Sequence, residues 1–433
     1  MRQNRNIPSG SAILVCDKIR FGIFVALMII KLIAFITATS EISSVFASTQ
    51  HKVSLEDSKV PIVQTKNGPV MGEYVIAREI SADKVINRIP QPINRYLGIP
   101  FAQPPVGPLR FKPPQPVVKN WSEPLMATRR PNDCVSNSYG NEDCLYLNVF
   151  VPAAKSDSSR AVMIWIHGGN YKFGSISEYD GTAMAATEDV ILVMGNYRLG
   201  VLGFFANDAT FAESGTTGNW GLMDQQAVML WVKDNISAFG GDPNRVTLFG
   251  ESAGAMSTMV HLGIPTSSAL FSNAIIQSGG SKMDIFYQPL EDAKKFNHWF
   301  ATKHLPCPNA DMDCLRRVDS SHFHFADSER NGPDAPSWGS AIYPLLPSGP
   351  VIDGTFLKGS PYDVLGTATG AKKTVIIGIT QDEGSIFVRA MQTCVRPETH
   401  YPPLPDELRS IVFYLTRHPS DRQSNARISK VRV

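Results

Sequence analysis

The sequence lacks the features that mark several large classes of protein. Its 41 Lys and Arg residues nearly balance 39 Asp and Glu residues, for a net charge of +2. No excess of positive charge therefore argues for nucleic acid as a partner. We find no basic stretch with interleaved aromatic residues, no cluster of zinc-ligating residues, no phosphate-binding loop and no internal repeat. The sequence predicts neither nucleic-acid binding nor a metal site, and it indicates no cofactor.

A hydrophobic run long enough to span a membrane is also missing. The apolar run at 21–36 is interrupted by Lys31 and is shorter than the ~20 residues that a membrane span needs. Basic residues precede it, and Val45-Phe46-Ala47 offers a small-residue cleavage site. We expect residues 1–47 to be a signal peptide and the protein to be secreted. The alternative is an uncleaved signal anchor with membrane association, because the stretch before the apolar run is long.

The segment 249–255 contains the pattern Gly-x-Ser-x-Gly with Ser252 at its centre. A short apolar run at 245–249 precedes it and a helical pattern at 255–262 follows. This context predicts a sharp strand-to-helix turn that exposes the serine hydroxyl as a nucleophile. The N-terminus of the following helix favours negative charge that develops there. The bare pattern is weak evidence, because a serine between two glycines is more often a plain turn.

A second glycine-rich turn lies upstream of the serine. The buried-strand run at 161–166 ends in His167-Gly168-Gly169-Asn170-Tyr171. Acyl transfer needs backbone N–H donors directed at the oxyanion of the tetrahedral intermediate, and glycines let the backbone approach a substrate closely. The N–H of the residue after the nucleophile, here Ala253, acts with such a loop. An ordinary strand-to-helix turn is the alternative interpretation of this segment.

The apolar runs alternate with helical patterns along the chain. Strands are predicted near 161–166, 190–196, 245–249, 273–277 and 373–378. A helix is predicted over about 222–239, where apolar residues recur at a 3.6-residue period. Such alternation predicts an α/β fold with a mostly parallel sheet covered by helices on both faces. The apolar fraction of 43% is sufficient for a sizeable core.

The chain resembles the type-B carboxylesterase and cholinesterase family. The matching segments follow one another in order through most of the chain after residue 47. They are Tyr96-Leu97-Gly98-Ile99-Pro100-Phe101-Ala102, Pro104-Pro105-Val106-Gly107, Glu142-Asp143-Cys144-Leu145-Tyr146-Leu147-Asn148-Val149, Asn196-Tyr197-Arg198-Leu199-Gly200, Gly218-Asn219-Trp220-Gly221-Leu222-Met223-Asp224-Gln225, Phe239-Gly240-Gly241-Asp242-Pro243 and the segment around Ser252. So many ordered matches make the resemblance specific.

This resemblance implies an α/β-hydrolase fold and a Ser/Glu/His triad. Ser252 is then the nucleophile, and Glu383 matches the acid, in an Asp-Glu-Gly turn after the strand at 373–378. A carboxylate in that role orients the histidine and stabilises its imidazolium form. The residues that match the oxyanion hole are Gly168, Gly169, Asn170 and Ala253. The resemblance implies a small-molecule ester as the substrate.

The triad histidine has no match in this chain. Only His400 and His418 follow Glu383, and neither has the sequence surroundings of the family's catalytic histidine. Both are interpreted as surface-loop residues. If the chain is active, either of them becomes the general base to test. The resemblance thus implies that the last core elements are missing, which leaves an unpaired sheet edge. We divide the chain into the segment 1–47, a partial carboxylesterase domain at 48–390, and a divergent tail at 391–433 that shows no strand or helix period over its last residues.

The cysteines and one glycosylation sequence fit the secretory pathway. The resemblance implies two local disulfides, Cys134–Cys144 and Cys307–Cys314, which are typical of an oxidising compartment. Asn120, in Asn-Trp-Ser, is predicted to be glycosylated. Asn235 is in a second such sequence, but we expect it to be packed near a helix end and unmodified.

The loop between Cys134 and Cys144 favours a general carboxylesterase over a cholinesterase, given the family resemblance. In cholinesterases a longer loop carries an aromatic residue that stacks on a quaternary ammonium, whereas the loop from Cys134 to Cys144 is short and has no tryptophan. General esters are therefore expected rather than choline esters. Asn170 stands where family hydrolases often have Gly, and Asn tolerates a positive φ better than most residues. The alternative function is an inactive cholinesterase-like adhesion or binding protein, or a non-functional truncated isoform.

Overall fold

The computed structural model describes residues 60–77, 91–118, 120–136, 139–279, 287–323, 349–361, 373–380 and 429–432. All of these residues belong to one compact unit, which comprises 60–383 and 404–433. The segment 1–47, Glu383, His400 and His418 lie outside the described residues, so the predictions about them remain predictions.

The strands are short, apart from β4 with 10 residues and β9 with 11 residues. They are β1 Ile62–Thr65, β2 Gly68–Met71, β3 Glu73–Ala77, β4 Gln91–Pro100, β5 Leu125–Met126, β6 Tyr146–Pro152, β7 Arg160–Ile166, β8 Ile191–Gly195, β9 Gly241–Glu251, β10 Asn273–Gln277, β11 Gln288–Pro289, β12 Val351–Ile352, β13 Thr374–Gly378 and β14 Ser429–Arg432.

The helices lie between and after these strands. They are α1 Thr182–Glu188, α2 Gly200–Phe204, α3 Asp208–Ser214, α4 Trp220–Asn235, α5 Ala253–Gly263, α6 Pro265–Ser268, α7 Leu290–Lys303 and α8 Met312–Arg317. Single 3-10 turns occupy Gly107–Leu109, Ile176–Glu178, Ile236–Phe239 and Ser320–Phe323. The helix predicted over 222–239 is therefore α4 followed by a 3-10 turn.

A nine-stranded mixed sheet carries the site. Its strand order is β14-β13-β10-β9-β7-β8-β6-β4-β3. The five strands from β13 to β8 are parallel neighbours, which confirms the predicted parallel arrangement for the centre of the sheet. The flanking pairs are antiparallel. All five strands predicted from the apolar runs are present, with ends that differ from the prediction by a few residues.

The free edge that we expected beside β13 is occupied. Residues Ser429–Arg432 form β14, which pairs antiparallel with β13 from Thr374↔Arg432 to Ile377↔Ser429. The last residues of the chain, whose sequence shows no strand period, therefore include a strand. The backbone of an edge strand offers a row of unpaired N–H and C=O groups, and these groups can pair with a segment whose sequence has no apolar alternation.

The parallel strands are buried because helices cover both faces of the sheet. Every residue of β8 is buried, and alternate residues of β7 are buried, as expected for strands between two helical layers. Helix α4 packs closely on β8, since a Cβ added at Gly195 would lie 2.4 Å from a methyl carbon of Val228. In the part of the chain that the structure describes, no helix is long and apolar enough to span a membrane.

Candidate active site

Ser252 lies in the tight turn between β9 and α5. Its backbone has φ 54° and ψ −121°, a region that non-glycine residues rarely adopt and that costs about 1–3 kcal/mol. Two backbone hydrogen bonds hold Ser252 in this conformation. Its N–H donates to Gln277 O at 2.9 Å, and its carbonyl accepts from Met256 N at 2.9 Å. The predicted strand-to-helix turn is present, with the serine at its apex.

The two glycines of the motif are required by close backbone approach. A Cβ added at Gly254 would lie 2.0 Å from the carbonyl oxygen of Ile166, the last residue of β7. A Cβ at Gly250 would lie 2.5 Å from the backbone of Gly254 and 2.8 Å from the same oxygen. Any side chain at these positions forces the turn away from β7. The pattern Gly-x-Ser-x-Gly is thus what lets Ser252 come next to the loop that follows β7.

That loop, residues 167–173, flanks Ser252 and is called the oxyanion loop below, after the role that the family resemblance predicts for it. A Cβ added at Gly168 would lie 3.3 Å from Cβ of Ser252. Three consecutive residues have positive φ: Gly169 at 106°, Asn170 at 57° and Tyr171 at 58°. Asn at this place meets the expectation from its tolerance of positive φ. The N–H groups of Lys172 and Phe173 both donate to Gly169 O at 3.0 Å, which closes the loop on itself.

Two aromatic side chains fix the orientation of the first two peptide planes of the oxyanion loop. The hydroxyl of Tyr197 donates to His167 O at 3.0 Å, and Nδ1 of His167 contacts Gly168 O at 2.8 Å. A carbonyl oxygen only accepts, so Nδ1 carries the proton. In a planar trans peptide the N–H points opposite to the C=O. The N–H groups of Gly168 and Gly169 are therefore held away from these two aromatic side chains.

The histidine of this pair is a neutral structural residue. Its ring stacks on the ring of Tyr197 with 4.3 Å between centroids. Burial lowers the pKa of His167 to about 4, partly opposed by the hydrogen bond to Gly168 O and by the charge of Asp133. His167 is thus an uncharged donor at pH 7, which is compatible with orienting a peptide group. Tyr197 has no sequence signal of its own, although it lies in the segment 196–200 that resembles the family.

The carboxylate of Glu251 lies beside the same loop. A Cβ added at Gly168 would be 2.8 Å from Glu251 Oε2, and Glu251 directly precedes Ser252. Its charge contributes, after burial and the charge of Glu178, to raising the pKa of Tyr179. Sequence reasoning missed Glu251, although its place directly before Ser252 in the chain was an available signal.

A buried ion pair anchors the segment that carries Tyr197. Asp224 of α4 accepts from Nε of Arg198 at 2.8 Å, from its NH2 group at 2.7 Å and from its backbone N–H at 3.0 Å. The arginine also donates to Lys112 O at 2.8 Å. The side chain of Asp224 is fully buried, and the arginine side chain is 5% exposed. The ion pair therefore joins the family-matching segments 196–200 and 218–225 to each other.

Both predicted disulfides are present. Cys134 is bonded to Cys144 at 2.01 Å, and Cys307 to Cys314 at 2.03 Å. Next to the first bridge, Asp133 accepts hydrogen bonds from Ser175 and Ser177, which ties this loop to the segment after the oxyanion loop.

The two asparagines of the Asn-x-Ser sequences differ in environment. Asn120 is exposed, and its Oδ1 accepts from the side chain of Asn67 at 3.2 Å. Asn235 is buried, accepts from Lys66 N at 2.8 Å and donates to Trp231 O at 3.0 Å. The expectation that Asn235 is packed is confirmed, while glycosylation of Asn120 stays a prediction. Among the described residues no group of His, Cys, Asp and Glu side chains is placed to hold a metal ion.

Comparison with known proteins decides which family has this arrangement. The model of the carboxylesterase family matches residues 59–410. The chain belongs to the carboxylesterase family. Among solved structures, a PNB esterase superposes with a TM-score of 0.66 at 35% identity, covering 82% of this chain and 69% of the esterase. The fold is accordingly that of an α/β-hydrolase.

Curated members of the family are similar at 35–38% identity. Pyrethroid hydrolase Ces2e of Rattus norvegicus is 36% identical over 77% of this chain and 57% of its own length. Cocaine esterase of Oryctolagus cuniculus is 35% identical over 79% of this chain and 63% of its own length. Cholinesterase of Mus musculus is 38% identical over 68% of this chain and 51% of its own length. The chain thus spans between half and two thirds of the length of these relatives.

Proposed function

We propose that the protein is a carboxylic ester hydrolase that acts through an acyl-enzyme on Ser252. The observation that carries the proposal is the juxtaposition of a strained serine turn with a loop whose peptide planes are fixed by Tyr197 and His167. A strained turn of this kind exposes the serine hydroxyl, and fixed backbone donors beside it suit the oxyanion of acyl transfer. Membership of the carboxylesterase family supports the same reaction.

In the proposed reaction Oγ of Ser252 attacks the carbonyl carbon of the ester. The hydroxyl proton passes to a general base. The carbonyl oxygen becomes an oxyanion that accepts from backbone N–H groups of the proposed hole, which is formed by Gly168, Gly169, Asn170 and Ala253. The C–O bond to the leaving group breaks, and the alcohol departs with the proton. Water then adds to the acyl carbon, and the acid is released as the serine is restored. Strain at the serine is already present before the substrate binds, so the turn does not have to rearrange.

The general base of this scheme is not assigned. Both ring nitrogens of the buried His261 are in hydrogen bonds to other side chains. His167 donates from Nδ1 to Gly168 O, and its Nε2 is buried without a hydrogen-bond partner among the described residues. Glu383 is proposed as the residue that orients the base, on the strength of the family resemblance. A base is required because a serine hydroxyl is a weak nucleophile at its free pKa.

For substrates we propose neutral esters with aliphatic or aromatic acyl groups rather than choline esters. The bonded loop from Cys134 to Cys144 has ten residues of separation and contains no tryptophan for a quaternary ammonium. Two similar proteins are named for pyrethroid hydrolysis and cocaine hydrolysis, and a third is named cholinesterase. We also propose that the protein is secreted, because the two disulfides fit an oxidising compartment.

Covalent labelling tests this function directly. The full chain, expressed in a secreting host, is treated with a fluorophosphonate probe, and the labelled peptide is mapped. Label on Ser252, lost in Ser252→Ala, supports the proposal, whereas label that persists in Ser252→Ala overturns it. Ser272→Ala is the matched control, because Ser272 bonds only backbone groups away from the site. It should label like the parent protein.

Substrate preference needs a second measurement on the same samples. Hydrolysis of p-nitrophenyl acetate and butyrate is compared with hydrolysis of acetylthiocholine and butyrylthiocholine. The proposal expects kcat/KM to be higher for the neutral aryl esters. A higher value for the thiocholine esters would refute the substrate class while leaving the acyl-enzyme proposal intact.

A further inference from the structure

A buried chain of side-chain hydrogen bonds runs behind the nucleophile helix α5 to the oxyanion loop. Nε2 of His261 is 2.9 Å from Oε1 of Gln225, and Nε2 of Gln225 is 3.1 Å from Oγ of Ser257. The Ser257 hydroxyl lies 3.3 Å from the hydroxyl of Tyr171. All four side chains are at most 3% exposed. The chain therefore joins α4, α5 and the oxyanion loop without contact with bulk solvent.

The other end of the chain lies on α6. Nδ1 of His261 is 3.0 Å from Oγ of Ser267, and Nε2 of Gln226 donates to the same oxygen at 2.8 Å. Gln226 also donates to the hydroxyl of Thr266 at 2.9 Å. Four separate elements thus contribute to one continuous set of hydrogen bonds.

The direction of each bond follows from the donors and acceptors available. Oε1 of Gln225 can only accept, so His261 carries its proton on Nε2. Burial lowers the pKa of His261 to about 3, so the ring is neutral at pH 7 and Nδ1 accepts from Ser267. The amide of Gln225 donates to Ser257, and the hydroxyl of Ser257 then donates to Tyr171. Every donor points toward the oxyanion loop, and bonds aligned in this way polarise one another.

The hydrogen-bond chain ends at Tyr171, a residue whose backbone is strained. Its φ of 58° follows the 57° of Asn170. Its carbonyl accepts from Gly200 N at 2.7 Å, and its ring meets the ring of Phe204 edge-on at 5.2 Å. The side chain is fully buried. Backbone bond, ring contact and hydroxyl bond together fix a residue immediately after the loop positions that match the oxyanion hole.

We propose that Tyr171 is a positioning residue for the oxyanion hole, held by the hydrogen-bond chain through Ser257, Gln225 and His261. Ser257 lies on the helix that begins after Ser252, so its bond to Tyr171 sets the distance between the nucleophile helix and the oxyanion loop. The proposal rests on the proposed function in assigning the oxyanion to this loop. Tyr171 itself touches no reacting atom.

The kinetic consequence is a loss in the transition state rather than in substrate binding. Misplaced donors weaken contact with the oxyanion, which exists only as the reaction proceeds. For Tyr171→Phe and for Ser257→Ala we expect kcat on p-nitrophenyl butyrate to fall about tenfold, with KM changed less than about twofold. Because both changes break one link, the double variant should be no slower than the slower single variant.

Hydrogen exchange tests positioning without catalysis. Amide exchange of peptides that cover 167–173 should accelerate in Tyr171→Phe and in Ser257→Ala in the full chain, because the loop is held less firmly. Tyr146→Phe is the matched control. It also removes a hydroxyl hydrogen bond, to Asp143 at 2.8 Å, but Tyr146 is not a member of the hydrogen-bond chain that ends at Tyr171. It should leave exchange of the oxyanion loop unchanged.

The two measurements separate the failure of this proposal from the failure of the proposed function. If the parent protein hydrolyses no ester but exchange accelerates as expected, the hydrolase function fails and the positioning of the loop by Tyr171 stands. If exchange at 167–173 is the same in Tyr171→Phe as in the parent protein, the positioning proposal is overturned whatever the activity. The positioning proposal is also overturned if Tyr171→Phe and Ser257→Ala raise KM and leave kcat unchanged.

Discussion

Acidification from pH 7 to pH 5 should destabilise the fold through two buried histidines. Burial lowers the pKa of His167 to about 4 and that of His261 to about 3, from 6.5 in an unfolded chain. Between pH 6.5 and these folded-state values the unfolded chain binds protons that the folded protein does not. Stability from both neutral rings is thus fully present above pH 6.5 and falls as the pH drops toward 4.

The magnitude follows from the two pKa differences. One pKa unit corresponds to about 1.4 kcal/mol, so each histidine removes roughly 2 kcal/mol of unfolding free energy between pH 7 and pH 5. The pair then removes about 4 kcal/mol, a large part of the 5–15 kcal/mol of a typical folded protein. Little of this loss is compensated at pH 5, because both folded-state pKa values lie at least about one unit lower.

Urea unfolding at pH 7, 6 and 5 measures the effect, with His261→Gln as the partner sample. Carboxylates and other groups titrate alike in both proteins, so the difference between them isolates His261. We expect the variant to be less stable at pH 7 and to lose about 2 kcal/mol less than the parent protein between pH 7 and pH 5.

Equal losses in the two proteins would refute the reasoning, because they would mean that His261 binds no extra proton on unfolding. If His261→Gln does not fold, imidazole NMR of the parent protein answers the same question. The His261 resonance should not titrate above pH 5, and a midpoint near 6.5 would contradict its burial as a neutral ring.

Three further outcomes are expected from single changes. Gly254→Ala places a Cβ 2.0 Å from a carbonyl oxygen of β7 and should lower the unfolding free energy by ~1–3 kcal/mol. Gly378→Ala is the control, because a Cβ there has nothing within 4 Å and should leave the unfolding free energy unchanged. Equal melting temperatures for the two variants would contradict the expected clash at Gly254. Asp224→Asn leaves its arginine partner buried and unpaired, which should cost about 3–5 kcal/mol in urea unfolding; a loss under ~1 kcal/mol would show the pair to be solvated. Replacing Cys307 and Cys314 by Ser together should cost ~2–3 kcal/mol, and free thiols at these positions in non-reducing peptide maps would disprove the bridge.

The site was predictable to the extent that its parts are local in sequence. The turn at Ser252 follows from small residues between an apolar run and a helical pattern, and the glycines of the oxyanion loop follow another such run. Both depend on backbone conformations that only a few residue types permit, so the sequence reports them directly. The disulfide Cys307–Cys314 has seven residues of separation and came from the family resemblance.

The remaining contacts could not be predicted because they join residues that are distant in the chain. Tyr171 and Ser257 are 86 residues apart, and Gln225 and His261 are 36 apart. Whether such side chains meet depends on the strand order and on which face of each helix turns inward. A lone buried histidine such as His261 has no sequence signal that distinguishes it from an exposed one.

The amino-acid sequence by itself determined the family through its ordered motif matches. It also determined the parallel centre of the sheet and the location of the serine turn, because short-range periodicity and glycine requirements encode them. Only the tertiary structure decided that β14 pairs with β13 antiparallel. It also decided that Tyr197 and His167 orient the peptides of the oxyanion loop, and that a directed hydrogen-bond chain reaches Tyr171. Hydrogen bonds act over about 3 Å, so they depend on which elements pack together rather than on spacing along the chain.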